Sequence, residues 1–317
     1  MIGFCIAASH ERGLGHLYKT LNFIDYLVGQ GEQYIIMVND DSRAVEVLKQ
    51  RAVAYVTVNL SDADTDWETA LIKRFGINIW VNDRLDTDEN HAVNVKKNGI
   101  NLITFDDRGT GAAFADIHFA PLVFSGRDKL RGKRVLTGIR YLALNREIGA
   151  CRRQRDRLGS ILVTLGGSDT YGVTLQVVNM LKKCNRSATI IVGPASKHKT
   201  ELKQAIDRTF KLKFGVPSLI QEFVLHDIAI TGGGVTPFEA NASGLPCIIV
   251  ANELHEIEIG QFLAATGSSI FAGYYKAIDE SKFSINMNMD LETMSRTGMM
   301  EIKTDGVANI FNEIMAL

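Results

Sequence analysis

The chain has 317 residues, a length at which a single core gives way to two domains. Apolar residues make up 46% and charged residues 22%, which excludes a disordered chain. The net charge of −1 gives no overall attraction to nucleic acid or to a membrane surface.

Cys5, Cys151, Cys184 and Cys247 are scattered without CxxC spacing and read as reduced thiols of a cytoplasmic protein. The histidines form no HxxxH or Cys/His pair, so no metal site is expected. No basic segment precedes an apolar run at the start, and no stretch approaches about 18 continuous apolar residues. Neither a signal peptide nor a membrane span is expected.

Residues 2–8 read as a short apolar strand. A loop holding Gly13 and Gly15, candidate nucleotide-sugar contacts, follows, then a helix with Leu17, Leu21, Ile24 and Leu27 at three-four spacing, closed by Gly29 and Gly31. Strands are predicted over 34–39, 54–58, 77–83 and 101–107, and helices over 42–50, 66–75 and 91–98. The strands are apolar throughout rather than alternating, as in a parallel sheet covered on both faces. Residues 117–145 are less regular. The basic segment 127–157 reads either as a solvated linker helix or as a docking face for an anionic membrane or substrate.

The pattern restarts at Ser160 with a strand, a glycine turn and a helix that places Val173, Val177, Val178 and Leu181 on one side. Strands follow over 188–194, 212–216, 227–231 and 246–251, and helices over 199–209, 219–225 and 258–266. Residues 270–290 carry no clear pattern, and 290–316 finish in helices broken near 304–306. Two similar α/β halves result, 1–150 and 151–317.

In parallel sheets, ligands bind beyond the carboxyl ends of the strands, and every polar cluster here falls at such an end. After Gly13 and Gly15, the third glycine of a dinucleotide fingerprint would fall at Tyr18, which argues against NAD. His16 stands at the mouth of the first strand-to-helix turn, as a general base, a substrate contact or a helix cap. Asn82, Asp83 and Arg84 end one strand, and Asp106, Asp107 and Arg108 another. Acids at these places serve acid–base chemistry or cap the next helix; His16 and Asp83 are the catalytic candidates.

In the second half, Gly166, Gly167, Ser168 and Asp169 open a helix. Their amides and hydroxyl can contact a diphosphate, or Ser168 or Asp169 can cap the helix. Gly232, Gly233 and Gly234 leave bare N–H groups ahead of Thr236 and Glu239. They form either a ligand loop or a turn that needs positive φ. Glu239 is placed to accept both hydroxyls of a ribose or to lie at the surface. Asn252 and Glu253 follow the next strand and can face the same crevice.

The run GGGVTPFEANASGLP resembles the nucleotide-sugar loop of the B-type glycosyltransferase fold (GT-B), in particular that of the transferase that adds N-acetylglucosamine to the lipid-linked peptidoglycan precursor. The pattern is met at Gly234, Thr236, Glu239, Gly244, Leu245 and Pro246. The chain as a whole is similar to a relative of that enzyme, the UDP-sugar hydrolase of pseudaminic acid biosynthesis. GLGH with Lys19, TFDD, GIRYLALNREI, TLGGSD, the glycine loop and the terminal Asp305-Gly306 follow that family's order.

The resemblance implies two Rossmann-like domains facing across a cleft, UDP held mainly by the second, no cofactor, and a metal-independent displacement at the anomeric carbon. It implies that His16 activates water and that loop amides stabilise the departing diphosphate. Two departures stand out. The hydrolase's Asp-His-Tyr-Gly segment is replaced by Asn82-Asp83-Arg84-Leu85, and its Asn-Gln pair by Asn252-Glu253. The expectation is therefore a UDP-sugar hydrolase for a nonulosonic acid or surface polysaccharide. A glycosyltransferase on the same fold is the alternative, and a non-catalytic nucleotide-sugar-binding partner the third reading. The basic 127–157 region slightly favours a transferase with a lipid-linked acceptor at the membrane.

Overall fold

Residues 1–8, 15–62, 65–124, 129–216, 218–283 and 289–317 are described by a computed structural model. Uniformly apolar segments become parallel strands buried on both faces. The chain begins with β1 (Ile2–Ile6), α1 (Gly15–Gly29), β2 (Tyr34–Val38), α2 (Ser42–Gln50), β3 (Tyr55–Thr57) and α3 (Trp67–Phe75). It continues through β4 (Ile79–Asp83), α4 (Glu89–Lys96), β5 (Asn101–Phe105), β6 (Ile117–Ala120) and β7 (Arg134–Thr137). These strands form one parallel sheet in the order β3-β2-β1-β4-β5-β6-β7.

The second sheet is built from β8 (Ile161–Thr164), α5 (Val173–Lys183), β9 (Thr189–Val192), α6 (Lys199–Ala205), β10 (Lys211–Phe214) and α7 (Leu219–Val224). After these come β11 (Ile228–Thr231), α8 (Thr236–Ala242), β12 (Cys247–Ala251), α9 (Glu256–Ala265), β13 (Ser269–Tyr274) and α10 (Leu291–Glu301). Its order is β10-β9-β8-β11-β12-β13, again all parallel. The segment without a sequence pattern, 270–290, thus supplies the edge strand β13. A final helix, α11 (Gly306–Met315), ends the chain.

In each sheet the chain reverses its direction of growth beside the first strand, between β1 and β4 and between β8 and β11. These are the switch points where parallel sheets hold ligands. In-register pairing of Ile6 with Asp83, and of Thr164 with Thr231, brings the loops after those strands side by side.

The first sheet has two cores. On one face Phe4, Ile6, Leu17, Leu21 and Ile24 pack together, and on the other Cys5, Met37, Ile72, Trp80 and Leu102. Val307, Ile310 and Ile314 of α11 join the first of these. The first compact unit is therefore Met1–Leu144 with Asp305–Leu317, and the second is Asn145–Thr304. Sequence halves of 1–150 and 151–317 miss the returning helix, because an amphipathic pattern does not say which core will receive it.

Gly306 explains the tightness of that return: a Cβ there would overlap the carbonyl oxygen of Leu142. Gly306→Ala is expected to destabilise the first unit by about 1–3 kcal/mol, the usual range for overpacking. Denaturant unfolding followed from Trp67 and Trp80, both in the first unit, checks it; an unchanged midpoint would show that α11 shifts freely.

The segment 127–157 is not a linker helix. Its described part holds β7 and 3-10 turns, and three of its basic side chains pair with acids of the fold. Lys133 pairs with Asp116 at 2.7 Å, Arg134 with Glu313 at 2.5 Å and Arg153 with Asp227 at 2.8 Å. Arg155 is fully buried and donates to the carbonyls of Arg153, Phe223, His226 and Ser243. Arg127 lies outside the described residues. No described helix is long and apolar enough to cross a membrane.

Candidate functional site

In the first unit, α1 begins beside the end of β4. His16, Lys19 and Thr20 lie three and four residues apart, so one helix face carries all three. They converge on Asp83, the last residue of β4, which is 2% exposed. His16 Nδ1 lies 2.7 Å and Lys19 Nζ 2.9 Å from Asp83 Oδ1, and the Thr20 hydroxyl donates to Oδ2 at 3.2 Å. Lys19 also reaches Asp106 Oδ2 at 3.2 Å.

Burial alone would raise the Asp83 carboxyl, but Lys19 and His16 outweigh it and hold it below the ordinary carboxylate range. Lys19 is desolvated, yet Asp83 and Asp106 raise its ammonium above the usual value. An ionised Asp83 can only accept, so the hydrogen on His16 sits at Nδ1 and the lone pair of the neutral ring at Nε2. That is the tautomer a general base requires.

Asp107 has a different task. Its Oδ1 accepts from the backbone N–H groups of Thr87 and Gly109, tying two loops together. Asn82 faces away from Asp83 because successive strand residues point to opposite faces. Its Oδ1 accepts from Trp80 Nε1 at 2.8 Å and lies 3.1 Å from His91 Nε2, and its amide donates to Thr87. His91 in turn lies 2.8 Å from Glu68, completing a buried polar cluster. The segment read as one block, Asn82 to Arg84, therefore divides between the face carrying His16 and Lys19 and the core.

A pocket of about 710 Å³ opens at the carboxyl ends of β1 to β4, with His16, Asn39, Thr57, Ser61, Arg84 and Leu85 in its wall. Asn39 was not evident from sequence. It shapes this wall by exchanging hydrogen bonds with the backbone of Ala8, at 2.8 Å and 2.6 Å. Gly13 lies outside the described residues. Gly15 opens α1, and a Cβ there would meet nothing within 4 Å.

In the second unit, Gly166 follows β8 with φ +90, and Gly167 and Ser168 are exposed beside it. Asp169 is buried; its carboxylate accepts from Val173 N–H at 2.8 Å and Thr174 N–H at 3.2 Å and so holds the start of α5. The Ser168 hydroxyl remains at the surface, 3.1 Å from Thr170.

The three glycines after β11 are not at positive φ. Gly232 and Gly233 are required by close packing: a Cβ on Gly233 would lie 2.5 Å from the Glu256 side chain, and one on Gly232 2.7 Å from Asn252 Nδ2. Gly234 is open. Glu256, which the sequence did not single out, accepts from Gly233 N–H at 3.1 Å and from Asn252 N–H at 2.7 Å. The Gly233 amide is thus paired with Glu256. Glu256→Ala is expected to cost about 1–2 kcal/mol of the second unit's stability, by leaving two loop amides without their charged acceptor. Thermal unfolding at neutral pH checks this, and an unchanged midpoint would refute the anchoring role.

Glu239, in the first turn of α8, has no hydrogen-bond or ion-pair partner among the described residues, and burial pushes its carboxyl up to about 7. Glu253 faces the Tyr171 hydroxyl and raises its pKa through a hydrogen bond. Tyr171 stacks on Tyr275 at 4.4 Å, and Tyr274 packs edge-on against Tyr275 at 4.7 Å. The sequence concealed this aromatic group because its members lie about a hundred residues apart. Among the described residues, no group of three histidine, cysteine, aspartate or glutamate side chains is placed to hold a metal ion.

No known family profile matches the chain. The structure of MurG from Acinetobacter baumannii superimposes over 100% of this chain and 99% of its own, with a TM-score of 0.70 at 14% identity. The chain has the GT-B fold. The glycosyltransferase VinC in complex with dTDP aligns over 100% of both chains (TM-score 0.67, 12% identity). The UDP-GlcNAc 2-epimerase of Neisseria meningitidis, bound to UDP-GlcNAc, also covers 100% of both chains (TM-score 0.64, 13% identity), so the GT-B architecture carries more than one reaction.

Two curated proteins are similar in sequence. An uncharacterised protein of Methanocaldococcus jannaschii is 23% identical over 96% of this chain, and the spore coat polysaccharide biosynthesis protein SpsG of Bacillus subtilis is 22% identical over 65% of it. The chain spans 65% of the first relative's length and 61% of the second's.

Proposed function

We propose that this protein transfers a sugar from a nucleotide sugar, most simply a UDP-sugar, to an acceptor hydroxyl. The carrying observation is His16, oriented by ionised Asp83, in the wall of a pocket of about 710 Å³ in the first unit. That volume suits a ligand of several rings rather than a water molecule. His16 Nε2 takes the proton of the acceptor hydroxyl as its oxygen bonds the anomeric carbon, the bond from that carbon to the β-phosphate oxygen breaks and UDP leaves with the electron pair; Asp83 stabilises the resulting imidazolium. Lys19 keeps Asp83 ionised.

The second unit holds the nucleotide. Gly166, Gly167 and Ser168 after β8, with Gly234 and Thr236 after β11, contact the diphosphate, Glu239 accepts the ribose hydroxyls, and Asn252 and Glu253 border the sugar. The GT-B fold, the solved neighbours in complex with dTDP or UDP-GlcNAc, and the glycine loop support this reading. The test is UDP release from UDP-sugars with and without an extract of cellular lipids and glycans. Release that depends on the extract supports transfer. Release in its absence supports hydrolysis, the reading favoured by the ordered motifs around His16. A chain that binds neither UDP nor any UDP-sugar would overturn both.

A further inference from the structure

Arg84 follows β4 by one residue and is 6% exposed, yet its Nε and Nη1 have no hydrogen-bond partner and it forms no ion pair with any described carboxylate. It nevertheless lines the first unit's pocket. A guanidinium stays charged at every accessible pH, so burial without a counter-charge is unfavourable. The acids of the same region are engaged elsewhere. Glu68 is taken by His91 and Asn94, Asp88 by the His91 amide, and Asp107 Oδ1 by two backbone amides. Asp107 Oδ2 is itself buried without a partner and makes no ion pair with Arg84. The neighbouring Cys5 thiol hydrogen-bonds Arg84 but, pushed up to about 11 by burial, stays neutral and supplies no charge. Asp40 and Asp86 also line the pocket, but both are exposed to water.

We infer that the ligand of this pocket carries an oxyanion, a phosphate or a carboxylate, that pairs with Arg84. The planar fork of the guanidinium matches the two oxygens of either group. The inference rests on reading the pocket as the acceptor site and narrows the acceptor to an acidic molecule. Arg84 then selects the acceptor and sets its orientation, while His16 performs the proton transfer.

The test is calorimetric titration of the intact protein, saturated with UDP, with inorganic phosphate and separately with malonate. Arg84→Gln and Arg84→Lys are compared with the wild type. At least one anion is expected to bind the wild type, with affinity lowered about tenfold or more in Arg84→Gln and less in Arg84→Lys. Tighter phosphate binding points to a phosphate-bearing acceptor, and tighter malonate binding to a carboxylate. Equal binding by wild type and Arg84→Gln, or no binding of either anion, overturns the inference. UDP binding in the same cell is scored separately, so the nucleotide reading stands or falls by itself. Ligand-free Arg84→Met is expected to unfold at no lower temperature than the wild type. A fall of several degrees would mean that the fold itself satisfies the guanidinium, and would also overturn the inference.

Discussion

Replacing His16 by alanine is expected to lower UDP-sugar turnover by about 10²–10⁴-fold, the usual contribution of a positioned general base. UDP affinity should be unchanged, because the nucleotide contacts proposed for the second unit do not include α1. Asp83→Asn should lower turnover by a comparable factor. Its amide would no longer fix the Nδ1–H tautomer, and the pairing with Lys19 would lose its charge. Paired measurements of turnover and UDP calorimetry separate these effects from loss of fold. Full turnover by His16→Ala on every substrate that the wild type accepts would remove the histidine from the mechanism.

Glu239→Ala is expected to weaken UDP binding by about 1–3 kcal/mol, the range for hydrogen bonds to a charged group. The pH dependence gives a sharper signature. In the free protein burial pushes this carboxyl up to about 7, well above the usual glutamate range. Ribose hydroxyls donating to the carboxylate favour the ionised form, so below that pH binding must release a proton. UDP affinity should therefore fall as pH drops from about 7 to about 5 and level off above about 7.5. Glu239→Gln should lose this slope. The sign for folding is opposite: a raised carboxyl stabilises the ligand-free fold at low pH. That contribution is lost as pH rises through the interval from 4.5 to about 7. A pH-independent difference between wild type and Glu239→Gln would place the carboxylate away from the ligand.

Much of the fold was legible because its strands are uniformly apolar and its loops hold the glycines. The order of strand, turn and helix follows directly from that spacing. What could not be read were relations between distant residues. Asp83 and His16 meet across 67 positions, and only the switch of strand order between β1 and β4 makes them neighbours. Asn82, Asp83 and Arg84 stand together at one strand end, but strand alternation puts Asn82 in a buried network with Trp80 and His91. The basic run reads as a solvated linker helix or an anion-docking face. The partners of Lys133, Arg134 and Arg153, which are Asp116, Glu313 and Asp227, come from separate parts of the chain, so these pairs are invisible locally. The glycine triplet had a second cause: Glu256 needs bare backbone at Gly233 to reach its amide.

Hydrogen exchange of the intact protein with and without UDP tests the central claim most directly. Binding is expected to slow exchange at the amides of 232–236 and 166–168 in the second unit and to leave the amides of α1 unchanged. Protection confined to the first unit, or no protection anywhere at saturating UDP, would contradict it.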